Sequence, residues 1–249
     1  MAVLLVDIGN TRIKWARFDG RRVAKGRAAL HARWTPTDYR RLFRPRAAIV
    51  RVVVSSVAGV KVNRALTAAA RQARAGIEFV RVPRRGGGVR VGYLEPWRLG
   101  VDRFVAAVGA HSLFAGVPVC VVGVGTAMTI DLVDARGRHR GGAIIPAPAL
   151  MVDTLFSRTA GIHRRSQGGA RGGTGLFGRS TRAGVSQGAR YAAAALIDRA
   201  VDEGRVLLGR RPLAILTGGQ APAVRPLVAS ACVGVADLVL RGLAVLSQP

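Results

Sequence analysis

The chain repeats itself. The run VDIGNTRIK at 6–14 corresponds to VGVGTAMTI at 122–130, an offset of 116 in 249 residues. Each copy opens on an apolar run that reads as a buried strand. A glycine turn follows, then a second strand. Such a duplication constrains the fold more than any single motif, because the number of copies sets the number of sheets to be covered. It predicts two α/β halves, 1–115 and 116–249, each a mixed sheet flanked by helices. Facing each other, they would form a cleft with one glycine hairpin from each wall.

The rest of the chain fits that plan. In the first half, strands are expected at Ala2–Ile8, Arg12–Phe18, Val23–Ala29, Ala48–Ser55 and Ile77–Val82. Helices are expected at Lys61–Ala75 and Val101–Phe114, and Pro83–Gly92 reads as a Gly/Arg loop. In the second half, strands are expected at Val119–Val124, Met128–Val133, Gly141–Ile145 and Leu213–Leu216. Helices are expected at Pro146–Arg158, Arg182–Val206, Val224–Ser230 and Ala236–Leu246, with His163–Arg179 a mobile loop rich in Gly, Arg and Ser.

Composition narrows the function. Hydrophobic residues make up 49%, enough for a sizeable core, which excludes a disordered chain. The net charge is +26, with 39 Lys+Arg against 13 Asp+Glu. Three of the bases are lysines (Lys14, Lys25, Lys61), leaving 39 − 3 = 36 arginines. Such an excess suggests nucleic acid, but the arginines are scattered from Arg12 to Arg241 rather than gathered in a tail. Cys120 and Cys232 lie in apolar runs and read as buried small hydrophobes. His31, His111, His139 and His163 show no metal-ligand spacing, and no Walker loop or nucleophile elbow occurs. Asp7 interrupts the N-terminal apolar run too early for a signal peptide. The run from Gly116 to Ile130 is too short to span a bilayer. The expected location is the cytoplasm, away from any membrane.

With 13 acids, candidates for carboxylate chemistry are few. Asp7 ends the first strand, and Gly9-Asn10-Thr11 follows as a turn able to cradle phosphate oxygens. Asp7 could hold Mg²⁺ directly or through water, and Lys14 could reach the same phosphates. An ordinary hairpin with a capping Asp is the alternative. Gly125-Thr126-Ala127 is the second turn, and Thr217-Gly218-Gly219 is a third placed for a flat adenine or ribose. Gly100-Val101-Asp102-Arg103 opens a helix. Asp102 there is either an N-terminal cap or a general base beside an arginine that grips a carboxylate. Asp131 reads as the structural end of a strand.

Taken in order, DIGNTRIKW, VVVSSVAG at 52–59, GY at 92–93, LGVDRF at 99–104, GTAMTID at 125–131, GGAIIP-x-x-x-LM at 141–151, TAGI at 159–162, Ser180-Thr181-x-Ala183 and TGG at 217–219 resemble the type III pantothenate kinases. The resemblance covers essentially the whole chain. It implies the acetate and sugar kinase/Hsp70/actin superfamily, with two ribonuclease-H-like halves. It also implies ATP-dependent phosphorylation of pantothenate, the first step of coenzyme A synthesis, in a homodimer. Asp102 then matches the catalytic base, Gly100, Val101, Asp102 and Arg103 the pantothenate-binding segment, Tyr93 its aromatic partner and Thr181 a later substrate contact, with Ser180 a lesser candidate. Asp7, Ile8, Gly9, Asn10, Thr11, Arg12, Ile13 and Lys14 match the first ATP-binding segment, Thr126 the second, and Thr217, Gly218 and Gly219 the adenosine motif.

The sequence also departs from the family pattern. The family carries an aspartate that binds K⁺ or NH₄⁺ where this chain has Gly123. It usually has glycine where Ala147 stands, a strained exchange if that turn needs positive φ. It often has asparagine in place of Arg179. The expectation is an active kinase with ATP and Mg²⁺ and altered monovalent-cation dependence. The alternative is a degenerate or regulatory homologue acting as a transcriptional accessory. Nucleic-acid association is otherwise expected only as non-specific electrostatic attraction.

Overall fold

The computed structural model describes residues 2–44, 49–167 and 175–248. Two compact units emerge. The first holds residues 1–116, 135–139 and 237–249, and the second holds 117–134 and 140–236. The turn at 135–139 and the C-terminal helix thus group with the first unit.

The first unit runs β1 (Ala2–Ile8), β2 (Arg12–Phe18), β3 (Arg27–Leu30), α1 (Pro36–Arg41), β4 (Ile49–Ser56), α2 (Val60–Gln72), β5 (Gly76–Phe79), β6 (Arg85–Gly86), β7 (Val89–Arg90) and α3 (Val101–Leu113), with a 3₁₀ turn at Pro96–Arg98. The second continues with β8 (Val119–Val124), β9 (Ala127–Val133), β10 (His139–Pro146), α4 (Pro148–Arg158), α5 (Ala160–Ser166), α6 (Thr181–Leu208), β11 (Leu213–Thr217), α7 (Ala221–Val224), a 3₁₀ turn at Arg225–Leu227, and β12 (Cys232–Gly234). Helix α8 (Leu238–Leu246) returns to the first unit. Among the described residues, no helix is long and apolar enough to cross a membrane.

Both large sheets follow one plan. Their orders are β3-β2-β1-β4-β5 and β10-β9-β8-β11-β12. In each, the central strand is antiparallel to the next strand in sequence and parallel to the one on its other side. This is the duplicated ribonuclease-H-like strand order that the repeat leads one to expect. Strands covered on both faces need continuous apolar runs, and β1 supplies one. Leu4, Val6 and Ile8 join Tyr39, Val52, Val54 and Leu66 in one core, while Leu5 is fully buried as well. In the second unit, Val122, Val124, Met128 and Ile130 pack with Ala193, Ile197 and Val201 of α6 and Leu216 of β11.

Helix α8 joins the first unit through close backbone contact with α3. A side chain on Gly109 would stand 2.6 Å from the Leu238 carbonyl oxygen and 3.0 Å from the Gly242 nitrogen. Only glycine lets the helices approach so closely, and a segment read simply as helix gives no sign of where it packs.

Several expectations change locally. The two hairpins differ by one residue: Ile8 pairs with Ile13 across the first turn, and Val124 with Met128 across the second. The repeat offset is 116 up to the turn and 115 beyond it, so Thr129 rather than Ile130 stands in the register place of Lys14. The third strand begins at Arg27, with Val23 making only an isolated bridge to Phe18. The Gly/Arg loop contains the β6–β7 hairpin. His163–Ser166 are helical as the end of α5, and residues 168–174 of the expected mobile loop lie outside the described residues. The segment 228–230 is not helical, and β12 completes the second sheet. Cys232 on that edge strand is only partly buried, whereas Cys120 is fully buried and its thiol is pushed up to about 12 by desolvation. Ala147 has φ −71°, so no positive φ is required there and alanine is unstrained. Asp131 lies within β9 and is buried.

Candidate functional site

In the first unit the candidate groups gather at the carboxyl end of β1. Asp7 is the penultimate residue of that strand, paired with Lys14 on β2 and Ser55 on β4. It keeps part of its surface exposed. Burial nevertheless pushes its carboxyl up, Lys14 opposes this, and the negative charges of Asp102 and then Asp237 add to it, leaving it near 7. A carboxylate destabilised by desolvation and by neighbouring carboxylates is suited to a divalent cation, which would relieve both.

Asp102 is the second residue of α3, not its cap; the cap position is Gly100. The Asp102 carboxylate accepts the Arg103 backbone N–H at 2.9 Å, in the first turn of the helix, where the dipole favours a negative charge. A side chain on Gly100 would stand 2.7 Å from the Asp102 Oδ1, so the small residue gives that oxygen room to make its bond to the Arg103 N–H. Arg103 is buried, donates from Nη1 to the Tyr93 hydroxyl at 3.2 Å, and sits 5.8 Å from the centre of that ring. Tyr93 in turn packs on His139, with ring centres 5.6 Å apart. The buried guanidinium is thus held by an aromatic neighbour through both its hydroxyl and its ring.

Asn10, Thr11 and Arg12 are exposed at the turn between β1 and β2, with Ile13 buried beneath them. The turn is held at both ends. Gly9 N–H donates to the Arg12 carbonyl at 3.0 Å, and His31 Nε2 donates to the Gly9 carbonyl at 2.8 Å. His31 N–H also reaches the Thr11 carbonyl at 3.3 Å. An imidazole donating to a carbonyl carries its proton on Nε2.

In the second unit the duplication extends to this detail. Gly125 N–H donates to the Ala127 carbonyl at 3.0 Å, and Gln220 Nε2 donates to the Gly125 carbonyl at 2.6 Å. Gln220 also accepts the Ala149 N–H at 3.0 Å, and the Thr126 carbonyl accepts the Ala147 N–H at 3.2 Å. Thr217 ends β11, and Gly218 follows at φ 102° with its Cα pressed against the Val124 backbone, a place and conformation open only to glycine. Thr126 and Thr217-Gly218-Gly219 therefore lie around one end of β8. Gly123, in the place equivalent to Asp7, is flanked by Thr129 and Thr217. Thr181 opens α6, and Ser180 is its cap, its hydroxyl accepting the Ala183 N–H at 3.1 Å.

His31 and Gln220 are the two residues of this arrangement that sequence reasoning passed over. They lie 22 and 95 residues from the carbonyls they hold, and neither stands in a local motif. Among the described residues, no group of three or more His, Cys, Asp or Glu could enclose a metal ion.

A sequence profile described as "Type III pantothenate kinase" matches residues 3–203. A type III pantothenate kinase of Nitrosococcus oceani is 36% identical over 251 residues, covering 97% of this chain and 92% of that protein. One from Herminiimonas arsenicoxydans is 37% identical, covering 97% and 95%. A solved structure from Campylobacter jejuni, described as a conserved Baf family transcriptional activator, superposes with a TM-score of 0.58 at 20% identity, covering 96% of this chain and 94% of that one. That last likeness bears on the fold alone.

Proposed function

The chain belongs to the type III pantothenate kinase family, and from that premise we propose that it transfers the γ-phosphoryl group of ATP to the primary hydroxyl of pantothenate, opening coenzyme A synthesis. The observation that carries the reading is the coupling of Asp7 and Asp102 in one unit with the buried Arg103–Tyr93 pair. The hydroxyl oxygen forms a bond to the γ-phosphorus, the bond from that phosphorus to the bridging oxygen breaks, ADP leaves, and the hydroxyl proton passes to the Asp102 carboxylate. Phosphoryl transfer depends on positioning and charge neutralisation more than on covalent chemistry. Arg103 and Tyr93 hold the pantothenate carboxylate, with Gly100, Val101 and Thr181 as further substrate contacts.

The turns at 9–12 and 125–127 hold the phosphates through backbone N–H groups, helped by Asn10, Thr11, Lys14 and Thr126, and Thr217-Gly218-Gly219 takes the adenosine. Asp7 fits Mg²⁺, which when bound would neutralise charge on the phosphates. A monovalent cation does not fit in the same way, because Gly123 offers no carboxylate and its neighbours Thr129 and Thr217 offer only hydroxyls and backbone. The mechanism assigns it no step. A homodimer and a cytoplasmic location complete the reading.

The direct test is ATP consumption with and without pantothenate. No pantothenate-dependent turnover, together with steep salt-dependent DNA binding, would replace the kinase with a nucleic-acid-associated homologue. In the same assay, exchanging K⁺ for Na⁺ at constant ionic strength is expected to change turnover by less than roughly twofold, within ordinary screening effects. Strong activation by K⁺ would mean that other oxygen ligands replace the missing carboxylate.

His31 and Gln220 serve as positioning residues for the two phosphate turns. His31→Ala and Gln220→Ala are each expected to raise KM for ATP about tenfold, the cost of one hydrogen bond to a binding loop. KM for pantothenate should stay unchanged. His31→Gln, whose amide can donate to Gly9, should recover part of the loss. Equal effects on both KM values would show a general loss of structure instead.

A further inference from the structure

Strand β4 ends on two serines whose hydroxyls are placed differently. Ser56 is fully engaged: its Oγ donates to Asn63 Oδ1 at 2.7 Å and accepts the Ala58 N–H at 3.3 Å. Ser55 is completely buried, and its Oγ makes no hydrogen bond of ordinary geometry among the described residues. Such a hydroxyl costs stability, because it gives up water without a full replacement. The strand around it offers no reason for a polar residue. Val52, Val53 and Val54 are all buried, and a strand covered on both faces is best served by another apolar side chain.

The register shows what the hydroxyl faces. Ser55 stands opposite Asp7 in the parallel pairing of β1 and β4. Successive strand residues alternate between faces. Val6, Ile8 and Val54 belong to one core, so Asp7 and Ser55 share the other face. Burial pushes the Asp7 carboxyl up, and the Ser55 hydroxyl lies close enough to draw it back down. Lys14 stands on the other flank of Asp7, across the antiparallel pairing with β2. The carboxylate is thus set between a cation on one strand and a hydroxyl on the other.

The duplication isolates this pairing. In the second sheet the place of Ser55 is taken by Thr217 on β11, again a hydroxyl beside the end of the central strand. Thr217 stands opposite Gly123, which has no side chain to orient. The hydroxyl–carboxylate pair therefore belongs to the first unit alone, where Asp7 is.

We infer that Ser55 is a positioning residue for Asp7: its hydroxyl donates to the Asp7 carboxylate and fixes that side chain in the orientation that receives a divalent cation. O–H···O⁻ bonds are short and strong, and partners of this kind, one step behind a metal ligand, govern the affinity for the metal. The inference deepens the reading of Asp7 as the Mg²⁺ ligand and rests on it.

The test is calorimetric titration of the full chain with a non-hydrolysable ATP analogue, once in EDTA and once in excess Mg²⁺. The ratio of the two affinities reads the contribution of the cation. Mg²⁺ is expected to tighten binding to the wild type. That gain should shrink about tenfold or more in Ser55→Ala and be lost in Asp7→Asn. In EDTA, Ser55→Ala should bind within about twofold of the wild type, less than the loss of one hydrogen bond to the ligand would cause. Its Tm without Mg²⁺ should be no lower than that of the wild type, because alanine removes a buried hydroxyl that lacks a full bond. An unchanged Mg²⁺ gain in Ser55→Ala would overturn the inference and leave Asp7 in its role. Weaker binding in EDTA together with a lower Tm would show a structural hydroxyl and overturn it too. A gain that survives Asp7→Asn would overturn the reading of Asp7, and Ser55 with it.

Discussion

Asp102→Asn is expected to lower kcat for pantothenate by about two to four orders of magnitude, the usual contribution of a positioned general base. The affinity for a non-hydrolysable ATP analogue should change little. Asparagine keeps the shape, and its side-chain oxygen can still accept the Arg103 N–H that Asp102 holds at 2.9 Å. What it cannot do is take up the hydroxyl proton. The same change removes one of the charges that push the Asp7 carboxyl up, so Asp7 should titrate lower in this variant. That second readout needs no turnover and can be followed by NMR of the Asp7 carboxyl. Unchanged kcat would remove Asp102 from the chemistry, whatever happened at Asp7.

The fold was legible where sequence and structure speak the same local language. An apolar run, a glycine turn and an alternating run describe a hairpin, and finding two of them located both central strands, β1 and β8. The details that failed were the non-local ones. Strand β12 is only Cys232–Gly234, too short to show a period of two. It forms because β11 offers an open edge in register from Ala214 to Leu216. The one-residue shortening of the second hairpin is invisible in a sequence match, since a glycine turn absorbs it. Helix α8 reads correctly as a helix, yet its place beside α3 depends on Gly109 and Gly242 meeting across more than a hundred residues.

The candidate residues were similarly divided. Asp7, Asp102 and the glycine turns stand in short motifs whose chemistry is readable in place. His31 and Gln220 act on carbonyl groups, which any residue supplies, so neither partner carries a mark in the sequence.

Asp7→Asn should move stability and activity in opposite directions. The Asp7 carboxyl has an ordinary value of 3.8 and lies near 7 in the folded chain, chiefly because of burial. Its protonated form is therefore favoured by folding. The stability this lends is present below about pH 4, is lost as pH rises toward 7, and is gone above it. Asparagine is neutral at every pH and escapes that loss. The variant should match the wild type near pH 4 and become more stable above pH 7, by up to about 4 kcal/mol at 1.36 kcal/mol per pKa unit. In a metal-free protein of this size that corresponds to a rise in Tm of up to roughly 8–16 °C at pH 8. Activity should fall by roughly two orders of magnitude or more, since the carboxylate that fits Mg²⁺ is gone. Melting curves at pH 4 and pH 8, without Mg²⁺, decide the matter together with kcat. If Asp7→Asn melts lower than the wild type at pH 8, Lys14 already satisfies the carboxylate, and its burial serves the fold rather than a ligand. If it melts higher and turns over more slowly, the chain carries an unfavourable charge at the end of β1 because the phosphates and their cation need it there.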